Sequence, residues 1–112
     1  MIDKSMLDKS KLYYLSHPCT SYGVKKENIA DARRAGLILK VKYGICVVNP
    51  IVIMPDSCSE EEAMRKCRKL YKACDEVIFC DNWRNSKGCS EEYGWTLKDG
   101  KYFYLFKKNT LL

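Results

Sequence analysis

The chain has 112 residues, of which 46% are hydrophobic and 30% are charged, and its formal net charge is +6. This length fits one domain with a single core and leaves little room for a second domain. No apolar run approaches the roughly 18 residues that a membrane-spanning helix needs, and the opening MIDKSMLDKS lacks the apolar stretch of a secretion signal. We therefore expect a cytosolic protein with no membrane partner.

The positive charge raises the question of nucleic-acid binding. Much of it falls in one predicted helix, through Arg65, Lys66, Arg68, Lys69 and Lys72. Glutamates lie one turn away, and neither a recognition-helix pattern nor an aromatic RNA-binding signature accompanies the charge. We interpret the run as a solvated helix face and do not expect a polynucleotide partner. A modest basic field suits a phosphorylated small molecule equally well.

Seven cysteines are spread along the chain: Cys19, Cys46, Cys58, Cys67, Cys74, Cys80 and Cys89. Zinc sites need closely spaced ligand pairs, but the chain has no C-x-x-C motif and its single histidine is His17. Four of the cysteines fall in apolar-patterned positions, where a thiol behaves as a small hydrophobe: Cys46, Cys67, Cys74 and Cys80. We predict reduced, mostly buried thiols, and neither a metal site nor a cofactor.

The order of the predicted elements alternates strands with helices. Residues 1–10 are interpreted as a flexible N-terminal arm and residues 11–112 as one domain. Within the domain we predict strands at 11–16, 45–49, 76–80 and 101–106, and helices at 25–42, about 59–74 and about 89–98. The second helix begins with Ser59-Glu60-Glu61-Glu62, a capping box. This alternation predicts an α/β fold with a parallel sheet.

The simplest topology for this pattern is a small doubly wound sheet, flavodoxin-like or Rossmann-like, of four to five strands with helices on both faces. The predicted strand order is 2-1-3-4, with right-handed connections. The chain then reverses direction between strands 1 and 3, which opens a crevice beyond their carboxyl ends. The loops at 16–23 and 81–92 line this crevice, and we expect the functional site there.

The stretch from Ser86 to Gly94 is the richest candidate for chemistry. A turn containing Gly88 leads into a predicted helix, where free backbone amides and the helix dipole favour an anion, and Ser86 adds a hydroxyl. Glu92 is predicted to lie in the first turn, where the dipole favours its charged form. Such a carboxylate can act as a nucleophile or hold a sugar hydroxyl. An acidic first turn is equally typical of a helix that is only being stabilised.

Other candidates belong to the first strand and the loop that follows it. Tyr14 ends near the same crevice, where its phenol could hydrogen-bond Glu92, although an aromatic residue in a strand also suits core packing. His17 is interpreted either as a ligand contact or as an ordinary turn residue. Gly23, Lys25 and Lys26 precede the first helix and are candidates for a phosphate contact or for plain solvation.

These pieces together resemble the nucleoside 2-deoxyribosyltransferase-like superfamily, and within it the DUF4406 family of short bacterial and phage proteins. The resemblance spans about residues 11–106. It is carried by YYLSHP (13–18), Asn28, VVNP (47–50), CDEVIFCDNW (74–83), SKGCSEEYG (86–94) and DGKYFYLF (99–106). The most specific piece is the Ser-x-Gly-x-x-x-Glu spacing with its following glycine.

The resemblance implies chemistry at the N-glycosidic bond of a deoxynucleoside or its 5′-monophosphate. In similar enzymes the glutamate matching Glu92 attacks the anomeric carbon, and the tyrosine matching Tyr14 orients it. A serine at the position of Ser86 points toward members that bind a 5′-phosphate and hydrolyse nucleoside monophosphates. The ligand and phosphate contacts expected from the match are Ser86, Gly88, Ser16, His17 and Cys89. The resemblance also implies a homodimer or a higher homo-oligomer.

Two departures from the family pattern favour alternatives to turnover. Similar enzymes carry an aspartate eight residues before Asp75, where this chain has Cys67, and they generally have glycine where it has His17. A catalytically inactive module that senses or sequesters a nucleotide-derived ligand therefore stays open as an alternative function. A third possible function is that of an interaction protein whose basic helix binds an acidic partner.

Overall fold

The computed structural model describes residues 7–112, which form a single sheet with helices packed around it. The strands are β1 (Leu12–Ser16), β2 (Cys46–Val48), β3 (Glu76–Cys80), β4 (Phe103–Lys107) and β5 (Thr110–Leu111). The α-helices are α1 (Lys25–Lys42), α2 (Pro50–Ile53), α3 (Glu60–Ala73) and α4 (Lys87–Asp99), and a 3₁₀ turn covers Trp83–Asn85.

The sheet has the order β2-β1-β3-β4-β5. The β1–β2, β1–β3 and β3–β4 pairs are parallel, and β4–β5 is antiparallel. The predicted α/β class and the order 2-1-3-4 are therefore confirmed. The fifth strand is added by a tight turn at Lys108 and Asn109, which have φ values of 50° and 64°. Two consecutive left-handed residues are what a two-residue hairpin needs.

Alternation along β1 divides the interior into two cores. Tyr13 and Leu15 face α1 and pack with Leu39, whereas Tyr14 faces α3 and α4 and packs with Tyr71. Successive side chains of a strand point to opposite faces, so one short strand contributes to both cores. All five residues of β3 are buried, as expected for a central parallel strand covered on both sides.

Helix ends refine three of the sequence predictions. Ser59 begins α3 as predicted, since its hydroxyl accepts a hydrogen bond from the Glu62 amide at 3.2 Å. The predicted start of α4 at Cys89 is wrong by two residues, because Ser86 is the cap and Lys87 the first helical residue. The segment after β2 is not a plain loop, since Pro50 opens the short helix α2. Proline fits the first turn of a helix, where its missing N–H costs nothing.

The start of the domain differs from the predicted arm. Leu7 is buried in the α1-side core, and the Asp8 amide donates to the Tyr13 hydroxyl at 3.1 Å. The chain is therefore packed against the domain from residue 7 and not from residue 11. Residues 1–6 of the predicted arm lie outside the described residues.

Among the cysteines, one prediction of burial is wrong. Cys46 is exposed because β2 is an edge strand, whereas Cys67, Cys74, Cys80 and Cys89 are buried. No cysteine within residues 7–112 forms a disulfide. No helix in that same range is both long and apolar enough to cross a bilayer.

Candidate active site

A cleft of about 840 Å³ lies beyond the carboxyl end of β1, at the predicted crevice. The loop after β1 and the first turns of α4 line it, as expected from the topology. The sequence did not indicate the contribution of α2 and α3, whose apolar side chains form another wall: Pro50, Ile51, Met54, Ala63 and Met64. The cleft thus combines a polar end at the start of α4 with an apolar flank.

Glu92 is the buried carboxylate of this cleft, with 6% of its surface exposed. Tyr14 donates its hydroxyl hydrogen to Oε2 of Glu92, and Ser16 donates to Oε1 at 2.7 Å. Tyr14 and Ser16 are alternate residues of β1, so one face of the strand presents both hydroxyls. The hydrogen bond between Tyr14 and Glu92 that the sequence suggested is present.

The ionisation of Glu92 differs from the sequence prediction. Burial raises the pKa of Glu92 to about 7, and the hydrogen bonds from Tyr14 and Ser16 oppose that rise in part. The expectation of a charged form favoured by the helix dipole is therefore wrong. Its physical reason is the earlier start of α4, which moves Glu92 to the second turn, where the dipole has weakened and desolvation dominates.

The start of α4 is less open to an anion than the sequence suggests. The Ser86 hydroxyl accepts from the Cys89 amide at 3.3 Å, and the Ser21 hydroxyl accepts from the Lys87 amide at 2.9 Å. Among the first three amides of α4, that of Gly88 has no hydrogen bond within residues 7–112. Ser21 and Ser86, whose oxygens are 3.4 Å apart, add two hydroxyls beside it. Since Ser21 donates its hydroxyl hydrogen to Ser86, an anion would meet the Gly88 amide and the hydroxyl hydrogen of Ser86 here.

The remaining predicted contacts divide into those that line the cleft and those that do not. His17, Gly88, Cys89 and Lys25 line it. Ser16, which the sequence suggested as a ligand contact, does not, since its side chain is fully buried and donates to Glu92.

The charge and the position of three other candidates limit how they could contact a ligand: His17, Cys89 and Lys26. Burial lowers the pKa of His17 and raises the pKa of Cys89 to about 12, so the imidazole and the thiol are both neutral near pH 7. His17 hydrogen-bonds the Pro18 carbonyl through Nδ1 at 2.8 Å, a contact of the turn itself. Lys26 is exposed and is not among the lining residues.

Sequence reasoning did not expect Arg68 or Trp95 at the cleft, and it named Cys67 only as the position where similar enzymes carry an aspartate. Cys67 is buried beside Tyr14, and burial raises the pKa of its thiol to about 11. Arg68 follows it and stacks on Trp95 of α4, with 4.8 Å from Cζ to the centroid of the indole ring. The helical spacing of Glu92 and Trp95 on α4 was the available signal, because residues three apart share a helix face.

Comparison with known proteins finds a family whose sequence model matches this chain. The family model described as Domain of unknown function (DUF4406) matches residues 10–104. None of the curated protein sequences matches at a significant level.

Two solved structures share the fold. One is 2-deoxyribosyltransferase from Bacillus psychrosaccharolyticus, with a TM-score of 0.62 and 21% identity over 86% of this chain and 72% of that one. The other is 2-desoxiribosyltransferase from Leishmania mexicana, with a TM-score of 0.62 and 19% identity over 89% and 66%. At these identities the likeness establishes the fold alone. Since the family model covers most of its length, the chain belongs to the DUF4406 family.

Proposed function

We propose that the cleft binds a deoxynucleoside or its 5′-monophosphate and that Glu92 attacks the anomeric carbon to break the N-glycosidic bond. The observation that carries the proposal is a buried carboxylate in a cleft, held by two hydroxyls from one strand. The shared fold with 2-deoxyribosyltransferases, one described as a biocatalyst for nucleoside synthesis, supports the same class of chemistry.

The proposed reaction proceeds in two displacements. In the first, an oxygen of Glu92 forms a bond to C1′ while the C1′–N bond breaks, and the base leaves with the electron pair and takes a proton from solvent. In the second, water or another base attacks C1′ and gives up a proton to solvent, the ester bond to Glu92 breaks, and its electron pair returns to the carboxylate. Tyr14 and Ser16 hold the carboxylate in place for both steps, which lowers the entropic cost of alignment.

The pKa of about 7 sets the working range of this carboxylate. An ionised Glu92 is the nucleophile, so its reactive fraction grows as the pH rises toward 7 and levels off above it. A carboxylate that is poorly solvated is also more reactive than one in water. We expect kcat/KM to rise with pH through about 7 for this reason.

The polar end of the cleft supports a 5′-phosphate as part of the ligand. The Gly88 amide and the Ser86 hydroxyl, which accepts a hydrogen bond from Ser21, supply donors at the start of α4. Lys25 lines the same cleft and is 3.8 Å from Asp56, a pair too exposed to hold the lysine firmly. A phosphate in the cleft would replace Asp56 as the partner of Lys25 and so be bound by a positive charge.

Release of free base from purified protein tests the proposal. Common deoxynucleoside 5′-monophosphates and deoxynucleosides are incubated with the wild type, Glu92→Ala and Glu92→Gln, and the products are separated by chromatography. Glu27→Gln, an exposed carboxylate of α1 outside the cleft, serves as the matched control. We expect base release by the wild type and the control, and none by the Glu92 variants. The absence of release above the Glu92→Ala background for every base would contradict catalysis.

A ligand-binding module without turnover is the second candidate, and Cys67 is the observation that favours it. A neutral thiol stands beside Tyr14 and Glu92, so position 67 supplies no carboxylate next to this pair to hold a sugar hydroxyl or move a proton. A thermal-stability increase with nucleotides, combined with no product, would favour this reading.

A further inference from the structure

Arg68 lies in the wall of the same cleft and is held there by aromatic rings. Its Cζ is 4.8 Å from the centroid of the Trp95 ring and 5.4 Å from that of Tyr71. Trp95 also lines the cleft. A guanidinium stacked in this way has lost much of its conformational freedom before any ligand arrives, so it is preorganised as a binding group.

The N–H groups of this guanidinium have no hydrogen-bond acceptor within residues 7–112. Its nearest carboxylate is that of Asp99, with 3.8 Å between Nη1 and Oδ2, which is beyond hydrogen-bond length. Nη1 is buried and has no hydrogen-bond partner within residues 7–112. About a third of the side chain (31%) is exposed. Nη1 is therefore closed off from the cleft on the side of Asp99, whereas Nε and Nη2 have no acceptor within residues 7–112 and lie in the part of the side chain that is open to a ligand.

The position of Arg68 relative to Glu92 identifies the part of the ligand that it would meet. Three residues of the site follow one another along α4: Gly88, Glu92 and Trp95. At a rise of 1.5 Å per residue, Glu92 lies about 6 Å along the helix axis from Gly88, and Trp95 lies about 4.5 Å beyond Glu92. A nucleotide has its phosphate, its anomeric carbon and its base in this same order. With the phosphate near Gly88 and C1′ at Glu92, the base reaches Trp95 and Arg68.

We propose that Arg68 donates hydrogen bonds to a carbonyl oxygen of the departing base, and so selects 6-oxopurines or carbonyl-bearing pyrimidines; this rests on the function proposed above. As the C1′–N bond breaks, the electron pair passes to the base and negative charge accumulates on its ring and exocyclic oxygen. The guanidinium stabilises that charge until the base takes a proton from solvent. Trp95 holds the guanidinium at the distance the base requires.

A pair of substrates that differ in the charge of the departing base tests this role. 2′-Deoxyguanosine 5′-monophosphate releases an anionic base, whereas its N7-methylated form carries a positive charge and releases a neutral one. For Arg68→Met we expect the rate with the first substrate to fall about 100-fold, the size seen when one donor to a developing anion is removed. The rate with the methylated substrate should change only a few-fold. Lys69→Met removes a positive charge from the exposed side of α3 and is the matched control.

Equal losses with both substrates, or no loss with either, would overturn the role of Arg68. Where Arg68→Met fails to fold, as judged by circular dichroism, Arg68→Lys keeps the charge but not the planar fork and is measured on the same two substrates. The same selective loss, smaller in size, supports the proposal, and an equal loss contradicts it.

Equilibrium binding separates this inference from the proposed function. Calorimetry with free guanine-type base and, separately, with 2-deoxyribose 5-phosphate needs no turnover. We expect Arg68→Met to weaken binding of the base at least tenfold and to leave binding of the sugar phosphate unchanged. A wild type that cleaves nothing but shows this pattern would contradict the glycosidase function and support the base contact. A wild type that does not bind the base, or an unchanged affinity in the variant, would contradict the base contact.

Discussion

Two buried glutamates at opposite ends of the sheet have opposite environments. Glu76 begins β3, and Glu92 faces the cleft beyond the carboxyl end of β1; each is 6% exposed. Lys11 is 3.1 Å from Oε2 of Glu76, and Tyr104 donates to its Oε1 at 3.0 Å. The groups that act on Glu92 are the hydroxyls of two side chains and the like charge of its sequence neighbour, with no cation among them.

The difference indicates what each carboxylate contributes. Lys11 pairs with the Glu76 carboxylate and Tyr104 donates to it, so these contacts join the start of β1 to β3 and β4 and have no need of a ligand. Glu92 is held in position without its charge being neutralised, which costs folding free energy and leaves a reactive oxygen. A buried carboxylate without a cation, at the carboxyl edge of a parallel sheet, is therefore the better indicator of a functional site.

Replacement of Glu92 should have the largest effect on activity. Glu92→Gln preserves the shape of the side chain but replaces one accepting oxygen by a donating NH2 group and removes the nucleophile, so we expect base release to fall by at least about 10³-fold. Glu76→Gln changes a carboxylate of equal burial at the other end of the sheet and should retain activity within a few-fold wherever the protein is folded. Single-turnover kinetics measure both, and comparable losses from the two variants would contradict the assignment.

The same substitution should change how stability depends on pH. Folded Glu92 has a pKa of about 7 against an ordinary value of 4.5, so it favours the protonated native state. Its contribution to stability is complete below pH 4.5 and is lost as the pH rises to about 7. Relative to Glu92→Gln, the wild type should lose about 3 kcal/mol of unfolding free energy across that window. Denaturant unfolding at several pH values measures this, and a flat difference would show that Glu92 is ordinarily solvated.

Loss of the Glu76 carboxylate should change the unfolding free energy by less than the ionisation of Glu92 does. Glu76→Gln removes a hydrogen-bonded charge partner from Lys11, whose side chain is 40% exposed, so solvent compensates part of the loss. We expect a decrease of about 1–2 kcal/mol in unfolding free energy near neutral pH. A double-mutant cycle with Lys11→Met isolates the pair. A coupling energy near zero would mean that the ion pair contributes little.

The smallest expected effect is a displaced pH profile in Tyr14→Phe. The Tyr14 hydroxyl stabilises ionised Glu92, so its removal should move the midpoint of the kcat/KM profile upward by roughly one pH unit, the equivalent of one hydrogen bond to a charged group. Tyr13→Phe removes a hydroxyl from the opposite face of the same strand and is the matched control. A midpoint that stays in place or moves downward would contradict the positioning role of Tyr14.

More of the fold than of the candidate site could be predicted from the sequence. The strand order follows from alternating apolar strands and helices, because the handedness of their connections leaves few topologies. The hairpin to β5 depends on two left-handed residues at Lys108 and Asn109, for which the local sequence gives a weak signal. The exposure of Cys46 depends on β2 being an edge strand, which follows from pairing and not from the pattern of the strand itself.

For the candidate site, the place of Glu92 and Tyr14 at the cleft was predictable, but the ionisation of Glu92 was not. The spacing from Ser86 to Glu92 led to a carboxylate that lies buried in the cleft, and the end of the first strand led to Tyr14, which donates a hydrogen bond to it. The raised pKa could not be foreseen, because it depends on where α4 begins and on how deeply Glu92 is buried. Arg68 was interpreted as part of a solvated basic face. Its contact with Trp95 could not be foreseen, because it joins two helices that are distant in sequence.

Intact-protein mass spectrometry during a single turnover tests the role of Glu92 most directly. The wild type is mixed with excess deoxynucleoside 5′-monophosphate, quenched in acid within the first turnover, and digested to locate any adduct. We predict a transient 2-deoxyribose 5-phosphate ester on the peptide that contains Glu92, and no adduct in Glu92→Gln. Base release by the wild type with no adduct at any time, or with the adduct on another residue, would contradict Glu92 as the nucleophile.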